Sequence, residues 1–211
     1  MSNWDYGGLH RKHDMSGIIS MPNQSKVMVC DWTKDMPDFM KEADTLFIDP
    51  PWNMGNVNTF YTKADKEHRD FDFMQFIAHL FVRIDEIKPE FLFIEMGKEY
   101  LSEYISECKK RYKYVTFYNS TYYKNKKNKC YVIHATNKFK LKRYKTLEDM
   151  DEELIIKWIC ENHSYNCIGD LCMGRGLVGK YSAMNDKKFV GTELNKKRLA
   201  VLVDYMKEKY K

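Results

Sequence analysis

Short apolar runs alternate along this chain with stretches in which apolar residues return every three or four positions. The runs Val27–Cys30, Thr45–Asp49, Phe91–Glu95, Tyr114–Asn119, Cys130–Thr136, Cys167–Asp170 and Phe189–Thr192 are brief and rich in β-branched and aromatic residues, which predicts seven strands. Several are continuously apolar, the pattern of strands covered on both faces. Helical spacing predicts helices over Phe71–Ile87, Lys98–Arg111, Leu147–Asn162, Gly176–Asn185 and Lys196–Tyr210. In the first of these, Phe73, Phe76, Ile77, Leu80, Phe81 and Ile84 form one stripe, which belongs to the core. Strand and helix in alternation predict an α/β fold with a mostly parallel sheet and helices on both faces.

One pair breaks the alternation. Between Tyr114–Asn119 and Cys130–Thr136 there is no helical stretch, only a polar segment carrying Lys124, Lys126, Lys127 and Lys129, so the two strands read as a hairpin with a basic tip. Lysines so placed fit phosphate contacts, and they equally fit a solvated charged turn. Residues 1–25 are polar and irregular, with a basic cluster at His10, Arg11, Lys12 and His13, and read as an arm ahead of a single domain over 26–211. The stretch Asn53–Lys66, rich in Asn, Thr and Tyr, reads as a surface loop able to hydrogen-bond base edges.

Composition narrows the class without choosing within it. The 211 residues suit one domain, 44% hydrophobic and 31% charged, with a formal net charge of +5 that permits a polyanionic partner without requiring one. The six cysteines include no Cys-x-x-Cys pair, so no metal site is expected and reduced thiols in a cytoplasmic setting are. Met1 to Gly8 has no apolar core of a secretory signal, and no apolar run approaches the roughly 20 residues of a membrane span.

Two motifs carry chemistry. In the first, the strand Cys167–Asp170 runs into Leu171-Cys172-Met173-Gly174-Arg175-Gly176-Leu177-Val178-Gly179, a turn whose glycines allow the backbone to approach a ligand and enter a helix. Glu193 follows at the end of the next strand, 23 positions after Asp170, near the separation at which an acid reaches a ribose hydroxyl pair. This pattern alone also fits NAD and FAD binding. In the second motif, the strand from Thr45 runs into Asp49-Pro50-Pro51-Trp52, and two prolines cannot continue a parallel ladder. A carboxylate, fixed carbonyls and an indole are thereby presented at the carboxyl edge of a sheet, where α/β ligands bind.

The Asp-Pro-Pro-Trp motif resembles the catalytic motif of the amino-methyltransferases of nucleic acids, in the form typical of adenine-N6 enzymes, and Asp170 to Gly179 resembles their cofactor motif. Because the catalytic motif comes first, the order is that of the permuted β group of DNA adenine methyltransferases, and the resemblance covers residues 26 to 205. It implies a Rossmann-like methyltransferase fold with a seven-stranded, mostly parallel sheet containing one antiparallel strand. It also implies S-adenosyl-L-methionine as cofactor and nucleic acid as partner, DNA favoured over RNA, in a prokaryotic or viral-host setting. By resemblance, Asp49 and the Pro50 carbonyl accept hydrogen bonds from both hydrogens of the adenine amine, Trp52 stacks on the extruded base, and Pro51 completes the catalytic motif. Glu193 takes the cofactor ribose, Asp170 and the Gly174–Gly176 backbone face its methionine part, and Leu171 and Cys172 complete the cofactor-binding set. Asp31 resembles the acid near the cofactor's adenine, and it also reads as a turn or helix-cap residue before Trp32-Thr33.

The chain departs from the family pattern at Cys172, where Phe is usual, and at Arg175, where a small residue is. Between the hairpin and the next helix only Asn137 to Leu147 is available, too little for a target-recognition domain. Recognition then falls to the Asn53–Lys66 loop, the arm, the lysine tip or a second subunit, a homodimer being one such arrangement. An RNA adenine methyltransferase, or a catalytically silent nucleic-acid-binding subunit, is the alternative reading.

Overall fold

The computed structural model describes residues 5–122, 125–138 and 144–211. Its centre is a sheet of nine strands rather than seven: β1 (Ile18–Ser20), β2 (Lys26–Val29), β3 (Thr45–Ile48), β4 (Phe91–Met96), β5 (Tyr114–Tyr122), β6 (Asn125–Thr136), β7 (Met150–Asp151), β8 (Cys167–Asp170) and β9 (Lys188–Glu193). The spatial order is β1-β2-β9-β8-β3-β4-β6-β5-β7. All seven expected strands are present. The two additional ones are short edge strands, of three and two residues, too brief to leave a periodic signal. Two strands, not one, run against the rest: β6 pairs antiparallel with both β4 and β5, and β1 pairs antiparallel with β2.

Side chains alternate across the central strands, and both faces are apolar. Leu46 and Ile48 of β3 and Leu92 and Ile94 of β4 enter one core, whereas Phe47 and Phe93 enter the other. Helices α1 (Met54–Lys63), α2 (Phe73–Ile87) and α3 (Leu101–Arg111) cover the first face. Helices α4 (Glu152–Asn162), α5 (Leu177–Met184) and α6 (Lys196–Lys209) cover the second. The expected stripe on α2 is buried throughout, and Asp72 and Gln75 close its N-terminus in a reciprocal capping box.

Three local expectations are corrected. The stretch Asn53–Lys66 is not a loop: Asn53 caps α1 by accepting from the Asn56 amide at 2.9 Å, and Val57 and Tyr61 anchor the helix. With only those two residues buried, no apolar stripe announced it. The helix expected from Leu147 begins at Glu152, because Asp149 sits at φ 59°, Met150–Asp151 pair with β5, and the Asp151 carboxylate caps the helix. Part of the supposedly irregular arm is ordered: Tyr6–Arg11 form a 3-10 helix, His13 lies 2.9 Å from Asp204 of α6, and Ile18–Ser20 make β1. Among the described residues no helix is long and apolar enough to cross a membrane.

The crossover from β8 to β9 and that from β3 to β4 lead away from each other, so β8 and β3, adjacent in the sheet, flank a topological switch point. Ligands of open α/β sheets bind in the crevice that such a reversal leaves at the carboxyl ends of the strands.

Candidate active site

A cavity of about 1110 Å³ opens at that point. Its walls come from the segments that follow β2 (Cys30–Thr33), β3 (Asp49–Trp52), β8 (Leu171–Gly176) and β9 (Leu194–Asn195), with Glu95 of β4, Tyr122 of β5 and parts of α1, α4, α5 and α6. Asp31, Asp49, Pro50, Pro51, Trp52, Asp170, Leu171, Cys172, Gly174, Gly176 and Glu193, separated by up to 162 positions, therefore line one space (193 − 31 = 162). The lysines are elsewhere. Lys127 and Lys129 are exposed on the hairpin and do not line the cavity, whereas Lys124 and the Lys126 side chain lie outside the described residues.

Asp49 follows β3 directly, half-buried in the cavity wall. Desolvation raises its pKa to about 6, against hydrogen bonds from Trp52 and Tyr122 and the charge of Arg198. The Trp52 Nε1–H donates to Asp49 Oδ1 at 3.2 Å, and the indole rests 5.0 Å from the Tyr122 ring at an angle of 56°. It can lie there because position 97 is glycine: a Cβ on Gly97 would come within 2.8 Å of the indole. Trp52 thus orients the carboxylate, a role its place in the motif did not announce.

On the other side of the switch point, Asp170 ends β8 and accepts from the Cys172 amide at 2.8 Å, with burial holding its pKa well above the usual carboxylate range. The chain then turns through Gly176, at φ 80°, into α5. A side chain there would be strained and would meet Leu202 at 2.6 Å. Glu193 ends β9 almost fully buried, its carboxylate accepting from the Asn195 amide at 2.9 Å and from the Gly174 and Leu194 amides. Burial raises its pKa, opposed chiefly by Arg198.

Asp31 satisfies both readings of its sequence. It caps its own turn by accepting from the Thr33 amide and hydroxyl, and it lines the cavity, where the Tyr61 hydroxyl also donates to it at 2.8 Å. Tyr61 belongs to α1, which roofs this half of the cavity. The Lys63 carbonyl accepts from Asn195 Nδ2 at 2.8 Å, and Phe60 lies under the Arg198 guanidinium at 5.2 Å.

Sequence reasoning missed Glu95, Tyr122, Arg198 and α1. Only Glu95 left a signal, as the one acid in the apolar run Phe91–Met96. Arg198 is an unremarked basic residue in a helix rich in them, and Tyr122 lies where the hairpin register shifts after Thr121. Such an irregularity re-aims a side chain without altering composition.

This architecture is a methyltransferase-like α/β fold with a mixed sheet. Among solved structures it is similar to M1.HpyAVI, with a TM-score of 0.60 and 15% identity over 85% of this chain and 97% of that one. It is similar to TTHA0409 from Thermus thermophilus, assigned as a DNA modification methylase and complexed with S-adenosyl-L-methionine, with a TM-score of 0.61 and 10% identity over 87% and 93%. The cytosine-N4-specific PvuII DNA methyltransferase matches with a TM-score of 0.51 and 8% identity over 91% and 96%. At these identities the likeness is one of fold. No family model and no curated protein matches the sequence.

Proposed function

We propose that this chain transfers a methyl group from S-adenosyl-L-methionine to the N6 amine of adenine in DNA. The observation that carries the reading is the meeting of Asp49-Pro50-Pro51-Trp52 with the Asp170–Gly176 turn and Glu193 across one switch-point cavity. The similar folds support it, since M1.HpyAVI and TTHA0409 were each solved with S-adenosyl-L-methionine. Adenine is preferred over cytosine because the Asp-Pro-Pro-Trp motif resembles the form found in adenine-N6 enzymes, whereas Ser usually opens the motif of N4-cytosine enzymes.

The residues fit the cofactor. Buried carboxylates at strand ends suit a diol and a cationic amino-acid moiety, and the cavity is large enough for a nucleoside beside a target base. When bound, the cofactor supplies an electrophilic methyl on a sulfonium. Glu193 takes the ribose hydroxyls, Asp31 approaches the adenine, and Asp170 to Gly176 line the methionine part. Asp49 and the Pro50 carbonyl accept hydrogen bonds from the two N6 hydrogens, which draws the nitrogen toward tetrahedral geometry and takes its lone pair out of conjugation with the ring. As positive charge develops on nitrogen, the ionised Asp49 stabilises it. Trp52 and Tyr122 hold that carboxylate in place and offer aromatic surface to a base turned out of its stack. Transfer of labelled methyl to adenine-containing DNA and, in parallel, to RNA tests the proposal. Product on RNA alone would move the reading to an RNA enzyme, and N4-methylcytosine would overturn the base assignment.

Asp49 acts ionised, so activity rises with pH through about 6 and is lost below it. Tyr122→Phe removes a hydrogen bond that favours the ionised form, so the acid limb of the kcat/KM profile should move to higher pH. At neutral pH turnover should fall several-fold, because the raised pKa leaves part of Asp49 protonated. An unmoved limb would separate Tyr122 from Asp49.

With residues 26–211 proposed as one domain, DNA affinity would rest partly on the hairpin lysines. Replacing Lys124, Lys126, Lys127 and Lys129 with Ala should weaken binding alike on all sequences and flatten its salt dependence, by up to about 0.9 per lost contact on a log–log plot. An unchanged slope would make the tip merely solvated.

A further inference from the structure

Glu95 has no part in the mechanism above, yet it lines the same cavity. It stands one residue beyond the Ile48–Ile94 pair of β3 and β4, beside Asp49, and is 1% exposed. Its Oε1 is buried and, among the described residues, has no hydrogen-bond partner. Burying a carboxyl oxygen without a donor is costly, so such an oxygen in a ligand cavity is a place for an N–H of the ligand.

The groups facing Glu95 sharpen this. Asp49 from the end of β3, Asp170 from the end of β8, Asp151 and Glu152 at the start of α4, and the Cys130 thiol of β6 act on it, every one acidic. Arg198 offsets Asp49, Asp170 and Glu193, whereas the charges that act most strongly on Glu95 are all carboxylates. Burial and these neighbours keep its carboxyl protonated well above the ordinary range. The environment calls for a cation with N–H donors.

We infer that Glu95 is the counter-ion of the cofactor's α-ammonium group, and that it gives up its own proton to solvent when that ammonium arrives. The inference rests on the S-adenosyl-L-methionine reading. The balance is simple: a neutral carboxylic acid and an ammonium become a carboxylate–ammonium pair plus one released proton. Glu95 is then a binding residue that leaves Asp49 free to serve the target amine, and cofactor affinity rises with pH for as long as Glu95 is neutral in the empty site.

Titration calorimetry in two buffers of different ionisation enthalpy counts the protons released, using S-adenosylhomocysteine, which keeps the ammonium, and methylthioadenosine, which lacks it. The wild-type protein should release close to one proton more with S-adenosylhomocysteine than with methylthioadenosine. Its affinity for the former should rise by up to about tenfold per pH unit below about pH 7.7, where the α-amino group itself begins to titrate. Glu95→Gln should lose the extra proton and the pH dependence. It should bind S-adenosylhomocysteine on the order of tenfold more weakly while binding methylthioadenosine as before, which also shows the variant folded. Equal proton counts for the two ligands on the wild-type protein would overturn the inference without any variant. So would a Glu95→Gln protein with unchanged cofactor binding but slow methyl transfer, since the oxygen would then face the target amine. Absence of binding by either ligand to the wild-type protein would instead remove the cofactor reading itself.

Discussion

Asp49→Ala should lower methyl transfer by at least about a hundred- to a thousandfold while leaving cofactor affinity within a few-fold of wild type. Losing one preorganised transition-state group has about that cost, and a charged acceptor opposite a nascent ammonium belongs at the upper end. Cofactor binding should survive because Glu193 and the Asp170–Gly176 turn lie on the far side of the switch point. Asp49→Asn is the sharper experiment. It keeps the shape and the contact with Trp52 but removes the charge, so it should retain only a trace of activity. It should also be more stable. The folded carboxyl titrates at about 6 against an ordinary 3.8, so above pH 6 the fold holds a desolvated anion that the unfolded chain hydrates freely. That penalty is absent below both values and complete above both. Its relief at neutral pH should stabilise the ligand-free protein by on the order of 1–3 kcal/mol. Single-turnover methyl transfer and thermal unfolding are the measurements. Near-wild-type turnover by either variant would sink the mechanism, and a destabilised, inactive Asp49→Asn would point to a structural role.

Glu193→Ala should weaken binding of S-adenosylhomocysteine by about ten- to a hundredfold, the value of a hydrogen bond to a charged group, with kcat at saturating cofactor much less affected. The carboxylate is already gripped by the amides of Asn195, Gly174 and Leu194, so it is a rigid acceptor for a diol. Removing it also frees those amides, and Gly174 belongs to the turn itself. Glu193→Gln should therefore recover the turn but not the affinity. Calorimetry on both variants separates the two effects, and unchanged affinity in Glu193→Ala would take this residue out of the site.

The parts of this site legible in the sequence are those whose chemistry is local. Asp49 is held by the two prolines after it, Gly176 by a backbone angle that few other residues adopt, and Glu193 by its place at a strand end. Each can be read from its own neighbours along the chain, as can the strands around them, whose continuous apolar runs mark burial on both faces. Residues 54–63 are the opposite case. Only Val57 and Tyr61 are buried, and what makes the segment a roof is the bonding of Tyr61 to Asp31 and of the Lys63 carbonyl to Asn195. Neither partner can be inferred from spacing.

By itself the sequence determined the strand–helix alternation, the two motifs and their order, because periodicity and backbone restriction act over a few residues. Only the tertiary structure decided that β8 lies beside β3 and so brings the motifs face to face. It also decided that β1 and β7 extend the sheet, and that Gly97 makes room for the indole that orients Asp49. Above all it set Glu95, whose buried Oε1 has no hydrogen-bond partner among the described residues, next to Asp49. Strand register places one side chain against another across any length of chain, and pairing between distant segments leaves no mark in the local pattern of either.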